Sequence, residues 1–279
     1  MKKIVLLAAV LFTGFGVKAQ RFYGEFNVGY GFGIPSSNLG TESYADLSGN
    51  GSYQKPIYGT LGSGLNLTLT PGYMINKHLG VELGINYFLG SKTVISETSS
   101  SVNATDKTTA HSNQLRLLPS LVVSTGGDKL YAYAKAGLAI PVFGDTKGLR
   151  EISVPSQFGP IPTEVETTTK GNVSLGFRGS VGVGYNISEL IGLQLEVFHT
   201  SLTIKPKSRM IDSYAVAGQD ISSMLTVYDK ETTYVDELNS TSNNSSTNPD
   251  YSAGVAKEEL ATKTNFSQFG VSLGVKFNF

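Results

Sequence analysis

The chain has no cysteine and no tryptophan. Lacking cysteine, it has no disulfide framework, no thiol chemistry and no lipid-modified cysteine anchor. It also lacks a charge of either sign in excess, with 22 Lys and Arg against 22 Asp and Glu. No basic surface is there to take up a nucleic acid, and no nucleic-acid partner is expected. Beyond the N-terminus no stretch approaches the roughly 20 apolar residues of a membrane helix. Histidine is scarce as well. His78, His111 and His199 never pair at ligand spacing on one strand, so no metal site is expected. No motif for any cofactor is present.

What the chain does have, it has in order. Met1, Lys2 and Lys3 precede an apolar run over residues 4–12, and Val17-Lys18-Ala19 supplies modest side chains before a cut. This reads as a secretory signal peptide over residues 1–19, too short for a spanning helix. Without Lys2, Lys3 and Lys18 the mature chain is slightly acidic.

From Phe22 onward, apolar and polar residues alternate with a period of two, the signature of strands with one greasy and one polar face. Phe26, Val28, Tyr30 and Phe32 oppose Glu25, Asn27, Gly29 and Gly31. Seven further runs follow. In the second, Leu61, Leu65, Leu67 and Leu69 share the apolar face; in the third, Leu79 to Leu89 at every second position. The fourth carries Leu115, Leu117, Leu121 and Val123, and the fifth sets Ala132, Ala134 and Ala136 against Tyr131, Tyr133 and Lys135. Val181 and Val183 mark the sixth, Leu193 and Leu195 the seventh. The eighth is Phe269, Val271, Leu273, Val275, Phe277 and Phe279 against Gln268, Gly270, Ser272, Gly274, Lys276 and Asn278. Each run is about the 9–11 residues a tilted strand needs to cross hydrocarbon.

The connections alternate too. Residues 74–78, 125–129 and 188–190 make short turns, whereas 35–60, 91–112, 144–170 and 203–264 are long. Within 203–264, the polar low-complexity run at 239–248 reads as disordered, and residues 222–228 as a hairpin extension. Gly29-Tyr30-Gly31-Phe32-Gly33 and Gly182-Val183-Gly184 are glycine-rich, but no helix follows either, so they read as strand glycines rather than phosphate loops.

Every charge in the proposed spans falls on the polar face: Glu25, Glu82, Arg116, Lys135, Arg178, Glu196 and Lys276. In so narrow a space these should form a paired charge cluster, because an unpaired buried charge is costly. Glu25 and Lys276 lie at matching distances from the outer ends of the first and last runs. They should therefore approach each other if those strands are neighbours.

An apolar face with a polar opposite, a short-then-long rhythm of connections and the ending Val275-Lys276-Phe277-Asn278-Phe279 together resemble the small bacterial outer-membrane β-barrels that include OmpX, OmpW and the transmembrane domain of OmpA. The Lys-Ala-Gln cut resembles exported proteins of Bacteroidota. The resemblance implies an all-β fold: a closed, antiparallel, up-and-down transmembrane β-barrel of eight strands over residues 20–279. Periplasmic turns would be short and extracellular loops long, with 203–264 the longest.

It further implies residence in the outer membrane, contact with its lipids and lipopolysaccharide, and insertion by the barrel-assembly machinery reading Phe277 and Phe279. With no tryptophan, Tyr73, Tyr131, Tyr133, Tyr185, Phe277 and Phe279 would serve as the interfacial aromatics. Unlike in the full OmpA plan, no peptidoglycan-binding domain is expected after Phe279.

The function implied is non-enzymatic, structural or in cell-surface interaction, with a possible extracellular ligand held by the long loops. A narrow pore or carrier for small or hydrophobic solutes is the alternative. A surface lipid-modifying enzyme would need His111 or His199 beside a loop Ser or Asp, and no motif places them so.

Overall fold

The computed structural model describes residues 22–35, 37–46 and 51–279. The expected signal peptide lies outside the described residues. Eighteen strands occur among them. The first five are β1 (Phe22–Gly33), β2 (Ser37–Ala45), β3 (Tyr53–Gly59), β4 (Gly64–Met74) and β5 (Leu79–Gly90). Then come β6 (Thr93–Ser100), β7 (Thr105–Ser124), β8 (Leu130–Val154), β9 (Ile161–Gly171), β10 (Gly176–Asn186) and β11 (Ile191–Ser201). The remainder are β12 (Thr203–Ile204), β13 (Pro206–Val216), β14 (Gln219–Asp220), β15 (Glu231–Val235), β16 (Lys257–Leu260), β17 (Thr264–Asn265) and β18 (Gln268–Asn278).

Eight of these strands pair in a ring. β1 bonds to β4, β4 to β5, β5 to β7 and β7 to β8, all antiparallel. β8 continues to β10, β10 to β11 and β11 to β18, which pairs back with β1. The first and last strands run together from Tyr23↔Asn278 to Gly33↔Gln268. No edge is left between them, so their backbone groups are satisfied without water.

The side-chain pattern is inverted relative to a soluble protein. Phe26, Val28, Leu69, Leu83, Ile85, Val181, Leu195 and Leu273 are exposed on the outside of the ring. Glu25, Asn27, Asn66, Thr68, Glu82, Asn86, Gln194 and Ser272 are buried within. A period-two strand can do this only when its outer solvent is apolar.

Three connections between ring strands are short and fall at one end, after Met74, Ser124 and Asn186. The opposite end is not looped but β-structured, and this corrects the expectation of long coils. β7 and β8 run past the ring as a hairpin partner pair, down to Thr105↔Ser153. β6 and β9 flank them, followed by β2 and β3 on one side and by β13, β15 and β16 on the other. These strands form a crown above the ring.

Residues 222–228 hold a single 3₁₀ turn, Ser222–Met224, and the start of a one-turn helix, Val227–Lys230, not a hairpin. The segment 239–248 is folded rather than disordered. Ser242 and Asn244 are buried, and the Asn243 side-chain nitrogen donates to the carbonyls of Ser252, Val255 and Ala256 at 2.9–3.1 Å. Asn residues supply their own turn-mimicking hydrogen bonds, so a low-complexity run can still fold.

Candidate functional site

The interior of the ring is filled, in two levels. Toward the short-turn end, Lys135 of β8 is the hub. Its Nζ lies 2.6 Å from Glu25 Oε2, 2.9 Å from Glu82 Oε2 and 3.8 Å from Glu196 Oε2. These carboxylates come from β1, β5 and β11, on different sides of the ring. Arg178 of β10 meets Glu196 at 3.4 Å and also donates to Thr200. Tyr23 donates to Glu82 at 2.5 Å, and Gln194 donates to Glu25 at 2.9 Å. One ammonium shared by three carboxylates, with the remaining lone pairs hydrogen-bonded, is the arrangement in which buried charge becomes tolerable.

Glu25 and Lys276 are direct partners in the β1–β18 register. Their side chains do not form an ion pair. Lys276 Nζ sits instead over the Tyr23 ring, 3.8 Å from its centre, and 5.3 Å from that of Tyr131.

The second level lies toward the crown. Arg116 is 1% exposed, stacked 4.1 Å over Phe88, and its Nε donates to Gln114 at 2.8 Å. With the Gln268 amide oxygen turned toward it, Gln268 accepts from Arg116 Nη1 at 3.1 Å. Arg178 stacks likewise over Phe198, at 3.9 Å. Of the seven charges expected to cluster, Glu25, Glu82, Lys135, Glu196 and Arg178 form a continuous ion-pair network. Lys276 borders it, and Arg116 stands apart in the upper level. Each of the four interior cations lies over an aromatic ring.

The rings of Tyr131 and Tyr133 share the polar parity of Lys135, as the sequence pattern implied, whereas those of Phe88 and Phe198 were not anticipated. Tyr131 and Tyr133 are not interfacial aromatics: both are buried inside. Tyr23, Tyr131 and Tyr133 face Gly72, Gly184 and Gly182 across the strand pairs. A Cβ on any of these glycines would fall 2.2–2.4 Å from the facing ring. The interior glycines therefore clear floor space for aromatic rings that span the ring of strands. Residues of opposite size at the same register level were the available signal. Leu61, expected on the outer face, is instead buried with Ala110, Leu202, Ile204 and Phe266 in an apolar layer above Arg116. It precedes β4, so strand parity does not govern it.

Cavities lie on both sides of this filling. A crown cavity of about 790 Å³ is lined by Thr108, Arg150, Thr169, Arg209, Tyr234 and Phe266, among others. A cavity of about 440 Å³ opens at the short-turn end against Tyr131, Tyr133 and Lys276. Between them remains a void of only about 30 Å³ beside Glu82, Lys135 and Ser272. Such a space holds about one water molecule.

Phe277 and Phe279 both face outward, and the Phe279 backbone nitrogen donates to the Phe22 carbonyl. His78 sits in a turn against the Ser124 carbonyl. No cluster of potential metal ligands occurs among the described residues.

A family model for the outer membrane protein beta-barrel domain matches residues 5–224. The chain belongs to that family. It is a protein of the bacterial outer membrane. Among solved structures, OprG, an outer membrane protein from Pseudomonas aeruginosa, is similar at 13% identity and a TM-score of 0.48, with 94% of this chain and 97% of OprG covered. OmpT of Vibrio cholerae, in a trimer form, is similar at 10% identity and a TM-score of 0.09, with 92% and 98% covered. No curated protein matches the chain.

Proposed function

We propose that the ring of eight strands is a closed transmembrane barrel, non-enzymatic and non-conducting, that carries the crown as a cell-surface interaction platform. Both chain ends and the short turns then lie in the periplasm, and the crown is extracellular. The outer face meets lipid and lipopolysaccharide, and Phe277 and Phe279 are the features read by the assembly machinery.

The observation that carries this reading is the double plug: Lys135 with three carboxylates below, Arg116 on Phe88 beneath an apolar layer above. An eight-stranded barrel has room for side chains and little else. Planar-bilayer recording tests it. The expected result is silence or rare, brief events; steady ohmic conductance of the wild-type protein overturns it. Labelling of a cysteine introduced at Ser245 on intact cells tests the orientation. A label at Gly127 with protection at Ser245 would reverse it.

A second reading, a carrier for small or hydrophobic solutes, is favoured by one feature. β8 pairs with β10 up to Ala139 and with β9 only from Asp145. Residues 140–144 have no strand partner on that side among the described residues, and Pro141 and Phe143 line both this gap and the crown cavity. Phe143, Val173 and Leu175 are exposed around it. A solute could pass sideways there without crossing the plug. Retention of an apolar fluorescent probe by the wild-type protein, lost on Phe143→Asp, would support this route over the platform.

A further inference from the structure

The β8–β9 hairpin projects well beyond the ring. β8 alone spans 25 residues, roughly 80 Å at strand rise. Its tip, residues 154–161, carries no charge and bears Val154, Pro155, Phe158, Pro160 and Ile161. Phe158 is 100% exposed at the apex. An aromatic ring left wholly in water forgoes roughly 1.5–3 kcal/mol of burial.

The turn that presents it is fixed. Ser156 and Gly159 exchange backbone hydrogen bonds at 3.1 and 3.2 Å. Ser156 Oγ donates to the Gly159 carbonyl and accepts from Phe158 N. Gly159 takes φ +109°, a conformation that side-chain-bearing residues rarely adopt. An apolar anchor on a backbone fixed before contact loses less entropy on binding.

The stem below the tip chooses the partner. Glu151 and Glu164 are direct cross-strand neighbours on β8 and β9. Like charges placed opposite each other oppose pairing, and neither carboxylate has an ion-pair partner among the described residues. The row continues through Lys107, Glu97, Glu42 and Lys55 across β7, β6, β2 and β3. Lys107 reaches Glu97 at 3.7 Å and Lys55 reaches Glu42 at 2.9 Å, where it holds that carboxyl below its usual range. A groove of about 410 Å³ lined by Glu97, Lys107, Glu151 and Glu164 opens beside the hairpin. An acidic stem beneath an uncharged aromatic tip repels an anionic membrane surface and favours a cationic protein.

We propose that the hairpin docks a basic, extended segment of a partner protein, with Phe158 as the apolar anchor and Glu151 and Glu164 as its counter-charges. This rests on the platform reading and specifies its partner. The probe is a fluorescent peptide of alternating arginine and leucine, with its glutamate–leucine counterpart. Binding is read by anisotropy on the full protein in nanodiscs of zwitterionic lipid, against empty discs.

The arginine peptide should bind the protein discs alone. Binding should weaken about tenfold between roughly 0.05 and 0.5 M salt. It should also weaken about tenfold in Glu151→Gln/Glu164→Gln and in Phe158→Ser. All variants should keep the heat-dependent gel shift of a folded barrel.

Equal binding of both peptides, or affinities unmoved in both variants, overturns the proposal. So does Phe158-dependent partition of the protein into phosphatidylcholine vesicles, which would make the tip a membrane contact. Bilayer recording is a separate readout. A silent protein that ignores the peptide sinks the partner and leaves the closed barrel standing; a conducting one that binds it does the reverse.

Discussion

The ring interior and the crown are built from the same strands but hold themselves together by different physics. β8 passes through both. Between Leu130 and Ala139 its small and apolar side chains face outward, with Tyr131, Tyr133 and Lys135 locked inside. From Asp145 to Val154 the same strand has water on at least one face, and two of its charges pair at the surface, Lys147 with Asp212 and Arg150 with Asp106 at 2.6 Å, while Glu151 is left to solvent. Inside, the charges are few, the carboxylates converge on one lysine, and little water is at hand to replace a lost partner. Outside, they are many, spread along the sheet and replaceable by solvent. Charge number is therefore a poor guide to charge energetics; the surroundings decide.

Substitutions can break this contrast. The largest effect is expected for Lys135→Met, which leaves Glu25 and Glu82 without an ion-pair partner in the interior and Glu196 with Arg178 alone. It should lower stability by about 3–5 kcal/mol, measured by urea unfolding of the lipid-reconstituted protein and read from its gel shift. Replacing Glu25, Glu82 and Glu196 with Gln in the same chain should recover much of that loss. If Lys135→Met alone unfolds no more easily than wild type, the interior is wet and the plug is not a plug.

Next is Gly184→Val, which drives a side chain into the Tyr131 ring. A cost of about 1–3 kcal/mol is expected, with Tyr131→Ala in the same chain restoring part of it. In the crown, Asn243→Ala removes three hydrogen bonds to carbonyls of residues 252–256. Faster amide exchange around β16 is expected, by about 1–2 kcal/mol of local stability, with ring amides unchanged. The smallest effect belongs to Lys55→Ala, whose partner Glu42 lies at the surface. It should leave the urea unfolding midpoint unmoved. A larger effect there would erase the distinction between the two regions.

The ring was legible because lipid outside and a narrow polar space inside impose a strict period of two, visible from Phe26 to Phe32 and again from Phe269 to Phe277. That Glu25 and Lys276 stand opposite in the β1–β18 register followed from counting inward from the two ends, although their side chains do not pair. The crown was not legible, since a sheet with water at its faces needs no alternation; Thr163 to Lys170 shows none and is still a strand. Nor were the interior aromatics at Phe88 and Phe198, which break the polar parity. They read as noise along one strand and make sense only beside Arg116 and Arg178, on strands distant in sequence.

The reach of Lys135 bears on the order of assembly. Its three carboxylate partners stand on β1, β5 and β11, and β18 is the strand that joins β1 to β11 and completes the ring. Before that moment the sheet is open, and the same four side chains remain in contact with water. Their dehydration would then come with ring closure, where it would coincide with their mutual neutralisation. A ring closed in a shifted register would dehydrate them without bringing them together. A misaligned ring would leave these charges unmatched, so the cluster would favour closure in the native register.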